Sequence, residues 1–239
     1  MLVTCYYDIY NKPHKFVEYV WLFYDLGISG IPMIIFTEPS LVNKFKIFPN
    51  VTVLGVPLEE FELYNIAMNF KGELPIYRTV EKDTKEFFAL MNIKIECIKK
   101  ASALYKNKTF IWIDFGILKI VKNKEVFLEK LKEVNEMEVS KMTIPGCWEV
   151  GHAFTTDQIH WRFCGGFFII PEHYIETFYG HSKNVLTDFC KMTMYKLTWE
   201  TNIWSIIETC SEANNIVWYF ADHNDSILLN IENVPNIKV

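Results

Sequence analysis

The chain has 239 residues, half of them hydrophobic and 16% aromatic, with a formal net charge of −5. That composition excludes a disordered chain and supplies enough apolar material for one large domain, or two small ones sharing a cleft. Acids and bases are scattered, and without a basic block to follow a phosphate backbone the composition argues against nucleic-acid binding.

LVTCYY (2–7) is β-branched and aromatic and predicts a first strand. KFVEYVWLFYDL (15–26) carries apolar residues at helical spacing and stops before Gly27. IPMIIFT (31–37) and NVTVLGVP (50–57) predict the second and third strands. The longest helical pattern runs from about residue 84 to 105, with Phe87, Met91, Ile95 and Ile98 on one stripe. FIWID (110–114) predicts a buried strand and EVFLEKLKEV (125–134) an amphipathic helix. RFCGGFFIIP (162–171) predicts a strand with two glycines inside it. EHYIETFYG (172–180), NVLTDFCKMTMYKL (184–197) and TNIWSIIETCSEANN (201–215) are helical in pattern, and NIVWYFAD (215–222) is the last clear strand. Strands alternating with helices predict an α/β three-layer sandwich around a mostly parallel sheet. With no repeat, low-complexity tract or linker, residues 1–239 read as a single domain.

In such sheets ligands gather at the carboxyl ends of the strands. Thr4 to Asp8, Thr37, Asp114 and Asp222-His223 fall there. Cys5, Cys97, Cys147, Cys164, Cys190 and Cys210 form no CxxC pair and sit mostly among apolar neighbours, which reads as reduced thiols in a cytoplasmic protein. No signal-peptide pattern opens the sequence, and its apolar runs are too short to span a bilayer.

The sequence holds no GxxxxGK[ST] loop, no GxGxxG after the first strand, no GxSxG and no HExxH. What remains is Asp114, an acid at the end of an apolar strand, followed by Phe115-Gly116. Two readings stay open. A lone carboxylate there can hold Mg²⁺ or Mn²⁺, with Gly116 leaving room for a diphosphate. Alternatively Asp114 caps a turn through its side chain, with Gly116 in a positive-φ position.

Residues 92–117, an N-x-K followed by an alanine-bearing helix and FIWIDFGI, resemble the core of the HtrL/YibB-like family. VTCYYDI resembles that family's first strand, and WRFCGGFFII its strand beneath the sugar and acceptor pocket. The resemblance implies a GT-A fold and a glycosyltransferase that uses a nucleoside-diphosphate sugar, with a UDP-sugar favoured as donor and a glycan hydroxyl as acceptor. It implies that Thr4, Tyr6 and Tyr7 hold base and ribose, and that Asn92 and Lys94 contact ribose or diphosphate. Asp114 would bind ribose and a Mn²⁺ or Mg²⁺ ion, Gly165 and Gly166 would lie beneath the sugar, and His223 would complete the metal shell. The family's DxD pattern is reduced here to Asp114, because residue 116 is glycine.

Inverting transfer needs a carboxylate to take the acceptor's proton. Glu200, flanked by Trp199 and Trp204 in LTWETNIW, suits that role or is a plain acid in the first turn of its helix, with Thr201 or a neighbour as the cap. His152, His160, Trp161 and Arg162 are candidates for an acceptor pocket, and Asp222 and Asp225 rival His223 for the ion. A non-catalytic nucleotide-sugar or carbohydrate-binding module is the alternative. A two-metal hydrolase or nucleotidyltransferase is disfavoured because no second acid adjoins Asp114.

Overall fold

The computed structural model describes residues 1–10, 12–192, 194–212 and 214–234. Among these residues, the short β-branched and aromatic runs build one sheet of seven strands. They are β1 (Leu2–Tyr6), β2 (Met33–Thr37), β3 (Val51–Gly55), β4 (Thr109–Ile113), β5 (Met142–Gly146), β6 (Phe167–Pro171) and β7 (Ile216–Phe220). The order is β3-β2-β1-β4-β6-β5-β7. Pairing is parallel except along both sides of β6, which runs against β4 and β5.

Helices cover both faces. α1 (Pro13–Gly27), α2 (Val42–Phe45), α3 (Glu62–Met68), α4 (Lys85–Asn92) and α5 (Lys94–Leu104) come first. α6 (Lys124–Asn135), α7 (Glu172–Lys191), α8 (Glu200–Ile207) and α9 (Ser226–Leu229) follow. Side chains alternate across a strand, so each buried strand feeds two cores. In β4, Phe110 and Trp112 pack with α4, α5 and α8 residues such as Phe88, Ile98 and Trp204. Ile111 and Ile113 pack on the other face with Phe23 of α1 and Leu131 of α6. This is the expected three-layer α/β sandwich, Rossmann-like, with a mostly parallel central sheet.

Some boundaries differ from expectation. The pattern over 84–105 is two helices, because the chain turns at Ile93, whose N–H goes to Leu90 O, three residues back. Thr84 caps the first, accepting from Phe87 N at 3.3 Å. The two helical patterns of 172–197 merge into α7, which ends at Lys191; residue 193 lies outside the described residues. α8 ends at Ile207 and continues as a wider π turn over Glu208–Glu212, and residue 213 lies outside the described residues. The glycines of RFCGGFFIIP precede β6 rather than interrupt it.

β5 was not predicted, because Pro145 and Gly146 are both unfavourable in a central strand. Pro145 is tolerated because the β5–β6 pairing is limited to Thr143 opposite Ile169. Further along, the loop before β6 supplies Cys164 N to Pro145 O at 2.7 Å.

The sheet order positions the site. From β1 the chain builds outward through β2 and β3, then crosses to β4 on the other side. The crevice where the order reverses, outside the carboxyl ends of β1 and β4, is where α/β sheets bind ligands.

Candidate functional site

A cavity of about 370 Å³ occupies that crevice. Tyr6, Tyr7 and Asp8 reach it from the end of β1, and Asp114, Phe115 and Gly116 from the end of β4. Gly165 and Gly166 enter at the start of the antiparallel β6, and Trp199, Glu200 and Thr201 at the start of α8. Tyr10, Lys15, Lys82, Trp161 and His223 complete much of the rim.

Lys94, the first residue of α5, lies at the cavity floor with its side chain 2% exposed. Its ammonium donates to Asp114 Oδ1 at 2.9 Å, Glu200 Oε1 at 2.6 Å and Gly165 O at 2.8 Å. Three acceptors match its three donors, so a buried ammonium is fully satisfied. Burial works to lower its pKa, but the two carboxylates outweigh burial and hold it above the ordinary lysine value. For Glu200 the balance is reversed. Burial pushes its carboxyl above the ordinary glutamate value, Lys94 pulls it back, and the Asp114 charge adds to the rise.

Asp114 Oδ1 also accepts from Trp112 Nε1 at 2.7 Å, and its backbone N–H donates to Gly166 O at 2.8 Å. Its side chain keeps 36% of its surface, and Oδ2 lies toward Gly166. The turn-capping alternative does not describe this residue, since its carboxylate serves Trp112 and Lys94. Gly116 has an ordinary φ of −98°, and the room beside it is taken by Tyr19, whose ring would lie 2.5 Å from an added Cβ. Gly165 is needed for a different reason: a Cβ there would stand 2.1 Å from Glu200 Oε1.

The remaining expected residues separate into two groups. Tyr6 lines the cavity from within a cluster of Phe16, Tyr19, Phe45 and Phe115, at centroid distances of 5.0 to 5.7 Å. Tyr7 also lines it and donates its hydroxyl to Val56 O at 2.8 Å. Thr4 is wholly buried in mid-strand away from the cavity lining, its hydroxyl without a partner. Asn92 is likewise not in the lining; its amide ties Phe88 O to Thr198 O at 2.8 and 3.2 Å, fixing α4 against the approach to α8.

Glu200 opens α8 without a side-chain cap, and the Thr201 hydroxyl is buried without a partner instead of capping the helix. Trp199 lines the cavity and stands edge-on to Phe88 at 4.6 Å. Trp204 belongs to the core, against Phe168 and Phe178. His152, His160 and Arg162 line a separate cavity of about 240 Å³, whereas Trp161 faces the main one.

His223 does line the cavity, but it groups with Cys147 and Cys164, their ligand-capable atoms all within 4.8 Å. Asp114 joins no comparable group of three among the described residues. Asp222 accepts from the adjacent His223 N and Asp225 from Lys122 N, 103 residues away in sequence, each at 2.7 Å. The Cys147 thiol is drawn down to about 5, first by its contact with Cys164; burial opposes this and His223 adds to it. Sequence reading missed this cluster because its members are not neighbours along the chain. The signals in the sequence were His223 just beyond β7 and Cys164 just before β6; Cys147 follows β5, which local pattern does not show.

No protein-family model and no curated protein matches the sequence. Among solved structures, the chain is similar to the bifunctional IspDF from Campylobacter jejuni, at 10% identity and a TM-score of 0.41. That likeness covers 99% of this chain and 54% of the other, so the chain spans about half the length of that structure. These findings overturn the HtrL/YibB-like assignment: neither a family model nor a curated protein carries it.

Proposed function

We propose that this protein transfers a sugar from a nucleoside-diphosphate sugar, with a UDP-sugar as first choice, to a hydroxyl of a glycan acceptor. The observation that carries the reading is Glu200, buried yet lining the switch-point cavity, held at 2.6 Å by Lys94. Its carboxylate takes the proton of the acceptor hydroxyl while that oxygen forms its bond to the anomeric carbon. The bond from the anomeric carbon to the diphosphate oxygen breaks, and the diphosphate leaves with the electron pair. The outcome is inversion. A raised pKa makes Glu200 a stronger base, and Lys94 fixes the carboxylate without neutralising both acids.

Tyr6, Tyr7, Tyr10 and Tyr19 give the rim aromatic surface for a base or a sugar face, and Lys15 and Lys82 give it positive charge for a diphosphate. Asp114 fits a hard divalent ion in one limited way, since Oδ2 is the carboxylate oxygen not used by Lys94 or Trp112. Asp114 would hold such an ion, Mn²⁺ or Mg²⁺, which would supply charge to offset that on the leaving diphosphate. All six cysteines are free thiols, which supports a cytoplasmic setting. No helix among the described residues is long and apolar enough to cross a membrane.

A second reading, a binding module without turnover, is favoured by the same Lys94 contact, which engages one of the two carboxylate oxygens. Thermal shifts with UDP, GDP, CDP and their sugar conjugates, with and without Mn²⁺, test both, because a ligand of the native state raises the melting temperature. A shift with one nucleotide family plus sugar release to an acceptor supports transfer. A shift without release supports the binding module, and no shift with any of them removes both.

A further inference from the structure

The ends of β5 and β7 and the loop before β6 bring Cys147, His223 and Cys164 together, and His223 joins the cluster to the lining of the main cavity. We propose that Cys147, Cys164 and His223 form a Zn²⁺ site whose fourth position opens toward that cavity. The inference stands apart from the sugar-transfer reading and does not depend on it.

The geometry favours a metal over a disulfide. The two sulfurs lie 3.4 Å apart, far beyond the S–S bond length of about 2.05 Å. Two thiolates bound to one tetrahedral zinc, with Zn–S bonds of about 2.3 Å, sit about 3.8 Å apart. A shift of a few tenths of an ångström therefore suffices. Two thiolates and an imidazole are soft or borderline donors that select zinc over Mg²⁺, Mn²⁺ or Ca²⁺, which prefer oxygen.

The backbone around the cluster is already organised. Cys147 N and Trp148 N both donate to Trp161 O, at 3.1 and 3.0 Å. Cys164 N donates to Pro145 O at 2.7 Å, and Ala221 N to Gly146 O at 2.9 Å. This approach requires glycine at 146, where a Cβ would lie 2.0 Å from Arg162 O. Arg162 is itself locked to Glu208 by two hydrogen bonds, at 2.7 and 2.6 Å. The His223 ring stands against Trp161 at 4.0 Å, which limits how it can turn.

Three protein ligands leave a tetrahedral ion one place for water or a ligand oxygen, as in catalytic rather than structural zinc sites. Cys164 is buried and Cys147 half-buried, both outside the cavity lining, and the exposed His223 is the member of the cluster that lines the cavity. An oxygen donor bound in the cavity would be the natural occupant of the fourth position.

Titration of the whole reduced protein with Co²⁺ is the test. A thiolate-to-cobalt charge-transfer band saturating at one Co²⁺ per chain, and bleached by Zn²⁺, is expected. His223→Ala, at an exposed position that leaves the core intact, and Cys164→Ser should each weaken binding by more than the roughly 10–100-fold that loss of an outer-shell partner costs. Cys97→Ser, at a buried thiol on α5, should leave the band unchanged. No thiolate band in the folded wild type, or a band that survives in His223→Ala and Cys164→Ser, overturns the site. So does a Cys147–Cys164 disulfide whose reduced form takes up no metal.

Discussion

Two buried ion pairs, one beside the main cavity and one beside the smaller cavity, balance their charge in opposite ways. Arg162 meets Glu208 through two parallel hydrogen bonds, donates a third to Trp148 O at 2.9 Å, and lies over the Trp218 ring at 4.2 Å. One cation faces one anion in fork geometry, so the pair is balanced and holds the loop before β6 against the turn after α8. Lys94 is one cation facing two anions, Asp114 and Glu200, leaving an excess negative charge beside a cavity. A balanced pair can only hold. At the unbalanced one, burial raises the proton affinity of Glu200, Lys94 offsets this only in part and the Asp114 charge adds to the rise, and that is a chemical capacity.

The comparison can be broken most severely at Glu200. Glu200→Gln preserves shape and removes the base, so transfer should fall about 10²–10⁴-fold, the range for general-base catalysis, with the fold intact. Steady-state sugar transfer checks this, and unchanged turnover removes Glu200 from the reaction.

Next are the two cations. Lys94→Met and Arg162→Met should each lose about 3–5 kcal/mol of stability in urea unfolding, because each strands a buried carboxylate. They should part in function. The Arg162 variant should keep a nucleotide-sugar thermal shift wherever it remains folded, and the Lys94 variant should lose it. A Lys94→Met/Glu200→Gln double variant should recover part of the stability, because the stranded charge is gone.

Gly165→Ala sharpens the picture on a smaller scale. Its methyl would collide with Glu200 Oε1, so a cost of about 1–3 kcal/mol is expected together with displacement of the carboxylate from Lys94. A variant as stable and active as wild type would show that Glu200 is not held where these contacts place it.

The mildest effect is in pH. The folded state binds the Glu200 proton more tightly than the unfolded state, so wild-type stability should decline as pH rises from the ordinary glutamate value of 4.5 through the raised one. Above that window the slope from this group disappears. Glu200→Gln should lack the slope, and paired urea titrations across pH give the difference directly.

The sequence by itself determined the layers. Strands are legible in LVTCYY, IPMIIFT and FIWID, and amphipathic helices in EVFLEKLKEV, because periodicity is a local property of each segment. It also marked Asp114 as a strand-end acid, Glu200 as a helix-start acid and Gly165-Gly166 as a place of close approach. It did not reveal β5, since Pro145 and Gly146 contradict local strand preference and the strand exists through its pairing with β7.

Nor could local pattern show that Lys94 bridges two acids, that Asn92 and Thr4 point to packing, or that Arg162 needs Glu208. The tertiary structure decided those, along with the meeting of Cys147, Cys164 and His223. Each depends on sheet order, in which β6 slips antiparallel between β4 and β5 and brings Gly165 and Cys164 to the same edge as the ends of β1, β4, β5 and β7. Contacts among residues tens of positions apart are products of that order, and no local period records them.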